Sequence, residues 1–326
     1  MLRRLLGLVM LLSAACSSSS QDGSADKQGV QTYDVPAGSH PHDVAVGPDG
    51  EVWYTAQATG ELGRLDPRRG AVVETALGEG SAPHGVILGP DGAPWVTDGG
   101  LNAIVRVDPS NREVEIFPMP EGRPKLGMHT AVFDRAGTLW FTGNAGFYGR
   151  LFPADGRIDV FDAPGGGGPY GITVTPNGDV YYASLGGSHL ARVDPVSGAA
   201  TVLQPPTPEQ GTRRVWADSK GRVWCSQWNA GQVAVFDPAT GTWKEWRLPG
   251  STPQAYAVYV DDRDKVWLSD FGANAIVRFD PRTETFDTFA LPSDNGEVRQ
   301  LLGRRGEVWG AESRVDKLVV IRTQQG

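Results

Sequence analysis

The sequence predicts an all-β fold, a seven-bladed propeller in which each blade is a four-stranded antiparallel sheet. Three observations support this prediction. An aromatic residue recurs every 41 to 45 residues, a Gly-containing turn precedes most of these residues, and an Asp-Pro turn follows most of them. Self-similarity at this period, with several short strands per repeat, is typical of propeller blades. The seven marker aromatics are Trp53, Trp95, Trp140, Tyr181, Trp224, Trp267 and Trp309.

The repeat is clearest between Ala82 and Pro109. An innermost strand A, Gly85–Leu88, is followed by a GPDG turn and by a strand B around Trp95. Strand C, Ala103–Val107, then ends at an Asp-Pro turn, which has ordinary turn chemistry. An outer strand D completes each blade and stops before a Pro. The clearest D strands are Glu113–Phe117, Ile158–Asp162, Trp243–Leu248 and Thr285–Leu291.

The two ends of the chain are predicted to share the seventh blade. Val30–Val35 has the pattern of a D strand but precedes the first A strand, whereas the last repeat stops after its third strand, Lys317–Ile321. Pairing these segments would close the ring and remove the unpaired edges of an open sheet. The propeller is therefore expected to span residues 30–326.

Composition excludes some classes of partner. The chain has 30 Lys and Arg against 38 Asp and Glu, a formal net charge of −8. An acidic surface repels phosphate backbones, so no nucleic-acid partner is expected. Apart from Cys16, the only cysteine is Cys225, in a predicted B strand, and it is expected to be a buried, unreactive thiol. We expect a monomer held together by packing and ring closure.

The N-terminus resembles a bacterial lipoprotein signal. Arg3 and Arg4 precede the apolar run Leu5–Leu12, and a small-residue site ends at Cys16. The apolar run is too short for a transmembrane helix. Residues 1–16 are therefore predicted to be a signal peptide with lipidation at Cys16, and residues 17–29 a Ser-rich tether. The chain is expected in the bacterial cell envelope (periplasm, outer membrane or cell surface), attached only by lipid; a cleaved secretory signal is the alternative.

The period also predicts which residues meet at the central channel. In an up-and-down blade, the start of strand A and the B–C loop lie on the same face. Counting back from each marker aromatic gives one residue per blade at the start of strand A, which we call the mouth ring: His42, His84, His129, Tyr170, Arg213, Tyr256 and Arg299. Counting forward gives the B–C positions Ala56, Asp98, Gly143, Ser184, Gln227, Asp270 and Glu312. These side chains predict a polar, concave site at the channel mouth.

The motifs PHGVILGPDG, PYGITVTPNG and LWFTGN, with third strands such as AIVRVDP, resemble the streptogramin B lyase family. The resemblance covers nearly all of residues 30–323 and implies a seven-bladed propeller. It implies an enzyme that opens a cyclic depsipeptide by elimination across its ester, with magnesium as cofactor. By this resemblance Glu297 and Glu312 would bind Mg²⁺, although Glu312 lies one residue closer to its Trp than in the family.

The resemblance is broken at the catalytic base, because Arg299 stands where the family has a catalytic His. Arginine stays protonated and cannot act as a general base. Tyr256 replaces a substrate-binding His, and His42 replaces a Tyr. Either His42 supplies the base beside the two Glu residues, which we favour slightly, or the site has rotated to His42 and His84 with Asp98. The predicted catalytic residues are His42, His84, Tyr256 and Arg299, and the predicted substrate-binding residues are His129, Tyr170, Arg213 and Asp270.

Three functions remain open at this point, besides a purely structural role in the envelope. The chain could be a magnesium-dependent lyase acting on a small cyclic ester or peptide. It could instead be a lactone hydrolase similar to gluconolactonases, a related propeller type. It could also be a propeller that binds a small ligand or a protein at the channel mouth without chemistry, because a fold does not determine a function.

Overall fold

The computed structural model describes residues 29–323, and this part of the chain contains 28 β-strands and no helix. The strands of blades 1 to 3 are β2 (Pro41–Val46), β3 (Val52–Ala56), β4 (Glu61–Asp66), β5 (Ala71–Ala76), β6 (Pro83–Leu88), β7 (Pro94–Asp98), β8 (Ala103–Val107), β9 (Val114–Pro118), β10 (Met128–Phe133), β11 (Leu139–Gly143), β12 (Phe147–Phe152) and β13 (Arg157–Asp162). Those of blades 4 to 6 are β14 (Pro169–Val174), β15 (Val180–Ser184), β16 (His189–Val193), β17 (Ala200–Leu203), β18 (Thr212–Ala217), β19 (Val223–Gln227), β20 (Gln232–Asp237), β21 (Thr242–Arg247), β22 (Ala255–Val260), β23 (Val266–Asp270), β24 (Ala275–Asp280) and β25 (Thr285–Ala290). The seventh blade consists of β26 (Val298–Arg304), β27 (Glu307–Glu312), β28 (Lys317–Arg322) and β1 (Val30–Asp34).

These strands form seven four-stranded antiparallel sheets, which confirms the predicted fold class. Six sheets follow chain order, and the seventh has the order β26-β27-β28-β1. In the seventh, Val30 pairs with Ile321 and Asp34 pairs with Lys317. The predicted closure of the ring by the N-terminal strand is therefore confirmed. Within residues 29–323, no helix has the length and apolar character needed to cross a membrane. The predicted signal peptide, Cys16 and all of the tether except residue 29 lie outside the described residues.

The marker aromatics hold neighbouring blades together. Each one packs into a buried cluster formed largely by the inner strands of the following blade. Trp53 contacts the cluster of Val86 and Val96, for example, and Trp309 contacts that of Val44 across the closure. Burial of a large aromatic side chain contributes much of the apolar area of such an interface. Cys225 lies in one of these clusters with no solvent exposure, as predicted.

In several blades the turn before the B strand also fixes the ring of the marker Trp. Trp140 Nε1 donates to Asp134 at 2.9 Å, and Trp224 Nε1 donates to Asp218 at the same distance. Because a buried indole N–H needs an acceptor, the acidic residue of the turn positions the indole and satisfies it. The spacing of turn and Trp thus reflects one hydrogen bond that several blades repeat.

All seven A strands carry a β-bulge at their start, directly at the mouth ring. The pairing of β2 with β3, for example, shifts register between Pro41 and Val44, and β18 with β19 shifts between Thr212 and Val215. A bulge re-aims the side chains around it. Two consecutive residues of each A strand therefore lie at the start of the channel. They are the mouth-ring residue and the residue after it.

A second repeated feature, which was not predicted from the sequence, ties a bulge to the next blade where a Thr or Ser stands two residues after the marker aromatic. In four blades this side chain accepts the N–H of its own blade's bulge and donates to the carbonyl of the next mouth-ring residue. Thr55 accepts from Asp43 N at 3.0 Å and donates to His84 O at 2.8 Å, and Thr97 donates to His129 O at 2.6 Å. The recurrence of Thr or Ser at one position of the repeat is the signal that could have revealed it. Thr142 and Ser226 also make both bonds, and Ser269 accepts from Ala257 N.

Candidate functional site

The three mouth-ring histidines and Tyr170 form a continuous row, as the sequence predicts. The ring centroids of His42 and His84 are 3.8 Å apart, those of His84 and His129 are also 3.8 Å apart, and those of His129 and Tyr170 are 3.4 Å apart. His42 is only 3% exposed and His129 1%, whereas His84 is partly open to solvent. One half of the channel mouth is therefore lined by imidazoles.

The other half of the mouth combines guanidinium groups with aromatic rings. Tyr170 Oη and Tyr256 Oη lie 2.6 Å apart, and Arg213 Nη2 donates to Tyr170 Oη at 2.8 Å. The Cζ atom of Arg213 lies 3.5 Å from the ring centroid of Tyr256, and that of Arg299 lies 5.9 Å from it. Trp228, from the loop after β19, contacts both Arg213 and Tyr256. The structure thus brings all seven predicted residues together, and they form two chemically different halves.

The residues that follow the mouth ring place a buried ion pair across the channel. Arg214 Nη2 donates to Asp43 Oδ1 at 2.7 Å, Arg214 Nη1 donates to Asp43 Oδ2 at 3.2 Å, and Nη1 also donates to Thr130 at 2.9 Å. Asp43 is 2% exposed and Arg214 4%. This bidentate pair stabilises both charges and joins blade 1 to blade 5 through residues that lie 171 positions apart in the chain.

The sequence did not predict this pair, because the repeat period assigns only one residue of each blade to the channel mouth. Charged residues stand out at this position, since the other blades carry Gly85, Thr130, Gly171, Ala257 and Gln300 there. Beyond the pair, the channel continues as a cavity of about 170 Å³ between mostly apolar side chains, with Asp43 and Arg214 at its wall. The pair therefore forms part of the boundary between the polar mouth and an apolar channel.

Two hydrogen bonds orient the imidazoles. His42 Nδ1 lies 2.8 Å from Asp43 Oδ1, and His84 Nδ1 lies 3.1 Å from the carbonyl oxygen of His129. Both acceptors favour a proton on Nδ1, which leaves Nε2 as the basic nitrogen. Burial lowers the pKa of His42 well below its ordinary value, and the nearby Arg214, Arg299 and Arg213 lower it further. Burial, followed by the neighbouring His and Arg charges, likewise lowers the pKa of His129.

The predicted B–C carboxylates do not point into the mouth as a second ring. Asp98 accepts hydrogen bonds from Ala82 N and Ser81 Oγ, and Asp270 accepts from Gln254 N and Gly272 N. Asp270 is 1% exposed, so its hydrogen bonds hold the loop that leads into β22. The substrate-binding role predicted for Asp270 has no support in these contacts.

The two glutamates assigned to magnesium by the resemblance do not fit a cation site as they are arranged. Glu297 Oε2 accepts from Arg299 at 2.7 Å, and Glu297 Oε1 accepts from Arg314 at 2.8 Å, so both carboxylate oxygens are already ion-paired. Glu312 is fully buried, and burial raises the pKa of its carboxyl group. A hydrated Mg²⁺ needs ionised, available oxygens.

His42, Asp43 and His84 form another group whose ligand atoms all lie within 4.8 Å of one another. Imidazole and carboxylate groups suit a transition metal. However, the Asp43 carboxylate is held by both Nη atoms of Arg214, and Arg299 and Arg213 add positive charge near His42. The mouth therefore offers oriented bases and guanidinium groups in preference to a cation site.

Comparison with known proteins identifies the family. A sequence model of the virginiamycin B lyase family matches residues 23–240, two thirds of the chain. The chain belongs to the virginiamycin B lyase family. The matched segment ends before Tyr256, Glu297, Arg299 and Glu312, so it does not include the region where the resemblance places the metal and the catalytic base. No curated protein sequence matches the chain.

Solved structures agree on the fold. Virginiamycin B lyase from Staphylococcus aureus superposes with a TM-score of 0.83 at 19% identity, over 90% of this chain and 99% of that one. A streptogramin B lyase gives 0.82 at 22% identity, over 89% of this chain and 96% of that one. YCF48 bound to a D1 peptide gives 0.72 at 15% identity, over 92% of this chain and 98% of that one. At these identities the matches show the fold alone.

Proposed function

We propose that this family member is a lyase-like enzyme that opens a small cyclic ester by elimination, with His42 as the general base. The observation that carries the proposal is the contact of His42 Nδ1 with Asp43 at 2.8 Å, beside the row of imidazoles at the channel mouth. A carboxylate on one ring nitrogen fixes the tautomer and leaves the other nitrogen free to take a proton. Family membership supports the class of reaction.

The proposed step breaks a C–H bond and a C–O bond without water. His42 Nε2 takes the proton from the carbon α to a carbonyl, the electron pair forms an enolate, and the ester oxygen then leaves as a carboxylate. Tyr256, with its hydroxyl against Tyr170, and the guanidinium of Arg299, from the blade next to that of His42, would stabilise the negative charge that develops. The product has the mass of the substrate.

The test is turnover of a streptogramin B and of other cyclic lactones, followed by chromatography and mass spectrometry, with magnesium and with chelator. We expect a product of unchanged mass and shifted retention. His42→Asn should lower the rate by about 10² to 10⁴, the usual contribution of a general base. His40→Asn is the matched control. His40 lies two residues before His42 and is exposed, so this variant should keep the turnover of the wild type. Full activity in His42→Asn would exclude His42 as the base.

Two other outcomes point to the alternatives. A product heavier by one water would indicate a lactone hydrolase. No product, together with capture of a ligand or protein at the mouth, would indicate a binding propeller. The binding function is favoured by Arg213, whose guanidinium is partly exposed and forms no ion pair within residues 29–323. YCF48, which has the same fold, was solved with a peptide.

We also propose that the chain is a monomeric lipoprotein of the bacterial envelope, anchored through Cys16. The support is the basic, apolar and small-residue pattern that ends at Cys16. Metabolic labelling with an alkyne fatty acid should mark the wild-type chain and not Cys16→Ser, and light scattering should give the mass of one chain. Equal labelling of both chains would exclude this anchor.

A further inference from the structure

The guanidinium of Arg213 lacks the carboxylate that normally accompanies a partly buried charge. Within residues 29–323 it forms no ion pair, and its one hydrogen bond as a donor goes to Tyr170 Oη. Its Nε is buried without an acceptor. The group lies against two aromatic rings, with Cζ 3.5 Å from the centroid of Tyr256 and 4.9 Å from that of Trp228. These cation–π contacts hold the guanidinium in place without using up its N–H donors, which remain for an anion.

Arg299 is only partly neutralised. It shares the carboxylate of Glu297 with Arg314, so two guanidinium groups contact a single negative charge. Its Nε is also buried without an acceptor. Because Arg213 and Arg299 both lie within 6 Å of the ring of Tyr256, their unpaired charge is concentrated at one side of the mouth.

This arrangement favours an anion over a cation. The whole chain has a formal net charge of −8, yet this part of the mouth presents guanidinium groups that have too few acidic partners. A planar guanidinium matches a carboxylate with two parallel hydrogen bonds. Trp228 and Phe271, whose ring centroids are 5.3 Å apart, lie beside Tyr256 and give an aromatic surface next to the charge.

We propose that Arg213 and Arg299 form a carboxylate-binding site that accepts an aryl or other apolar carboxylate and makes stabilisation of the anion independent of a divalent metal. The proposal rests on the proposed function in one respect: a carboxylate is the group that a ring-opening elimination releases. Arg299 occupies the position where the resemblance expects a catalytic His, and the pairing of Glu297 with two arginines takes up the oxygens that magnesium would need. At this site, fixed guanidinium groups take the role that the resemblance assigns to a bound cation.

The experiment measures binding without turnover. Benzoate and its neutral isostere benzamide are titrated into the purified protein by calorimetry, with magnesium and with chelator. We expect benzoate to bind at least tenfold more tightly than benzamide, with the same affinity in both buffers, and magnesium alone to give no binding heat. Equal affinity for the two probes, no benzoate binding, or a magnesium-dependent benzoate affinity would overturn the proposal.

Variants assign the binding to the two arginines. Arg213→Gln and Arg299→Gln should each weaken benzoate at least tenfold and leave benzamide unchanged, whereas Arg69→Gln, on an exposed turn with a side chain 83% exposed, should stay within twofold of wild type. Arg213→Lys keeps the charge and should recover part of the affinity, which guards against misfolding of the Gln variant. Wild-type affinity in both Gln variants would refute the assignment. His42→Asn should keep benzoate binding while losing turnover, so failure of the enzyme proposal and failure of the carboxylate site are distinguishable.

Discussion

The ion pair between Asp43 and Arg214 should be one of the most costly contacts to break in the propeller. Replacing Arg214 with Met leaves the Asp43 carboxylate 2% exposed and without its two charge-assisted hydrogen bonds. Removing one partner of a buried pair costs about 3–5 kcal/mol, because the remaining charge is uncompensated. At roughly 2 °C per kcal/mol for a large single domain, the midpoint of thermal unfolding should fall by about 6–10 °C.

The assay is urea and thermal unfolding of the wild type, Arg214→Met, Asp43→Asn and the double variant. Because the double variant buries no unpaired charge, it should be more stable than either single variant. Arg69→Met is the control. Arg69 is 83% exposed and lies 3.7 Å from Asp66, and such surface pairs contribute less than about 1 kcal/mol. A loss below about 1 kcal/mol in Arg214→Met, or a double variant less stable than both single variants, would refute the reasoning.

Three further predictions concern the mouth and the closure. The pKa values of buried His42 and His129 lie below that of an unfolded His, about 6.5, so the unfolded chain binds more protons than the folded chain below that pH. As the pH falls below about 6.5, the free energy of unfolding should therefore decrease by up to about 1.4 kcal/mol per pH unit for each His. Urea unfolding from pH 7.5 to 5 should show this loss, and the same dependence on pH in His129→Asn would contradict it. Deleting the N-terminal residues through Val35 removes β1 and should lower the melting temperature or cause aggregation, whereas a chain starting at residue 29 should match the full chain in scanning calorimetry. Thr97→Val removes the hydroxyl that accepts from Gly85 N and donates to His129 O, and should cost about 1–3 kcal/mol in chemical unfolding; a neutral effect would mean that these bonds are replaced by water.

The fold was predictable because each blade repeats the same physical solution. A marker aromatic that fills the gap to the next sheet and a turn of fixed length recur with one period, and both leave a mark on the sequence. The closure by Val30–Val35 could be predicted because the last repeat lacks an outer strand of its own. These features are local and repeated, so a single chain already contains several copies for comparison.

The positions of the mouth-ring residues were predictable, and their contacts were much less so. The period places His42 and Arg299 at the mouth, but it cannot say that Asp43 turns toward His42 or that Arg314 competes for Glu297. The first contact lies at the bulge at the start of β2, which displaces consecutive side chains without changing the spacing of the repeat, and the second joins two loops. A bulge and a regular strand start have the same sequence pattern here, so the difference appears only in the structure.

The division of the mouth into two halves follows from the order of blades around the ring. Blades 1 to 3 place imidazoles side by side, and the carboxylate of Asp43 orients the first of them. Blades 5 to 7 place Arg213 and Arg299 around Tyr256. Because blades 7 and 1 are neighbours in the closed ring, Arg299 lies beside the proposed base His42. In the proposed elimination the proton and the leaving carboxylate depart from different atoms of the substrate, so His42 would receive the first and Arg299 would stabilise the second.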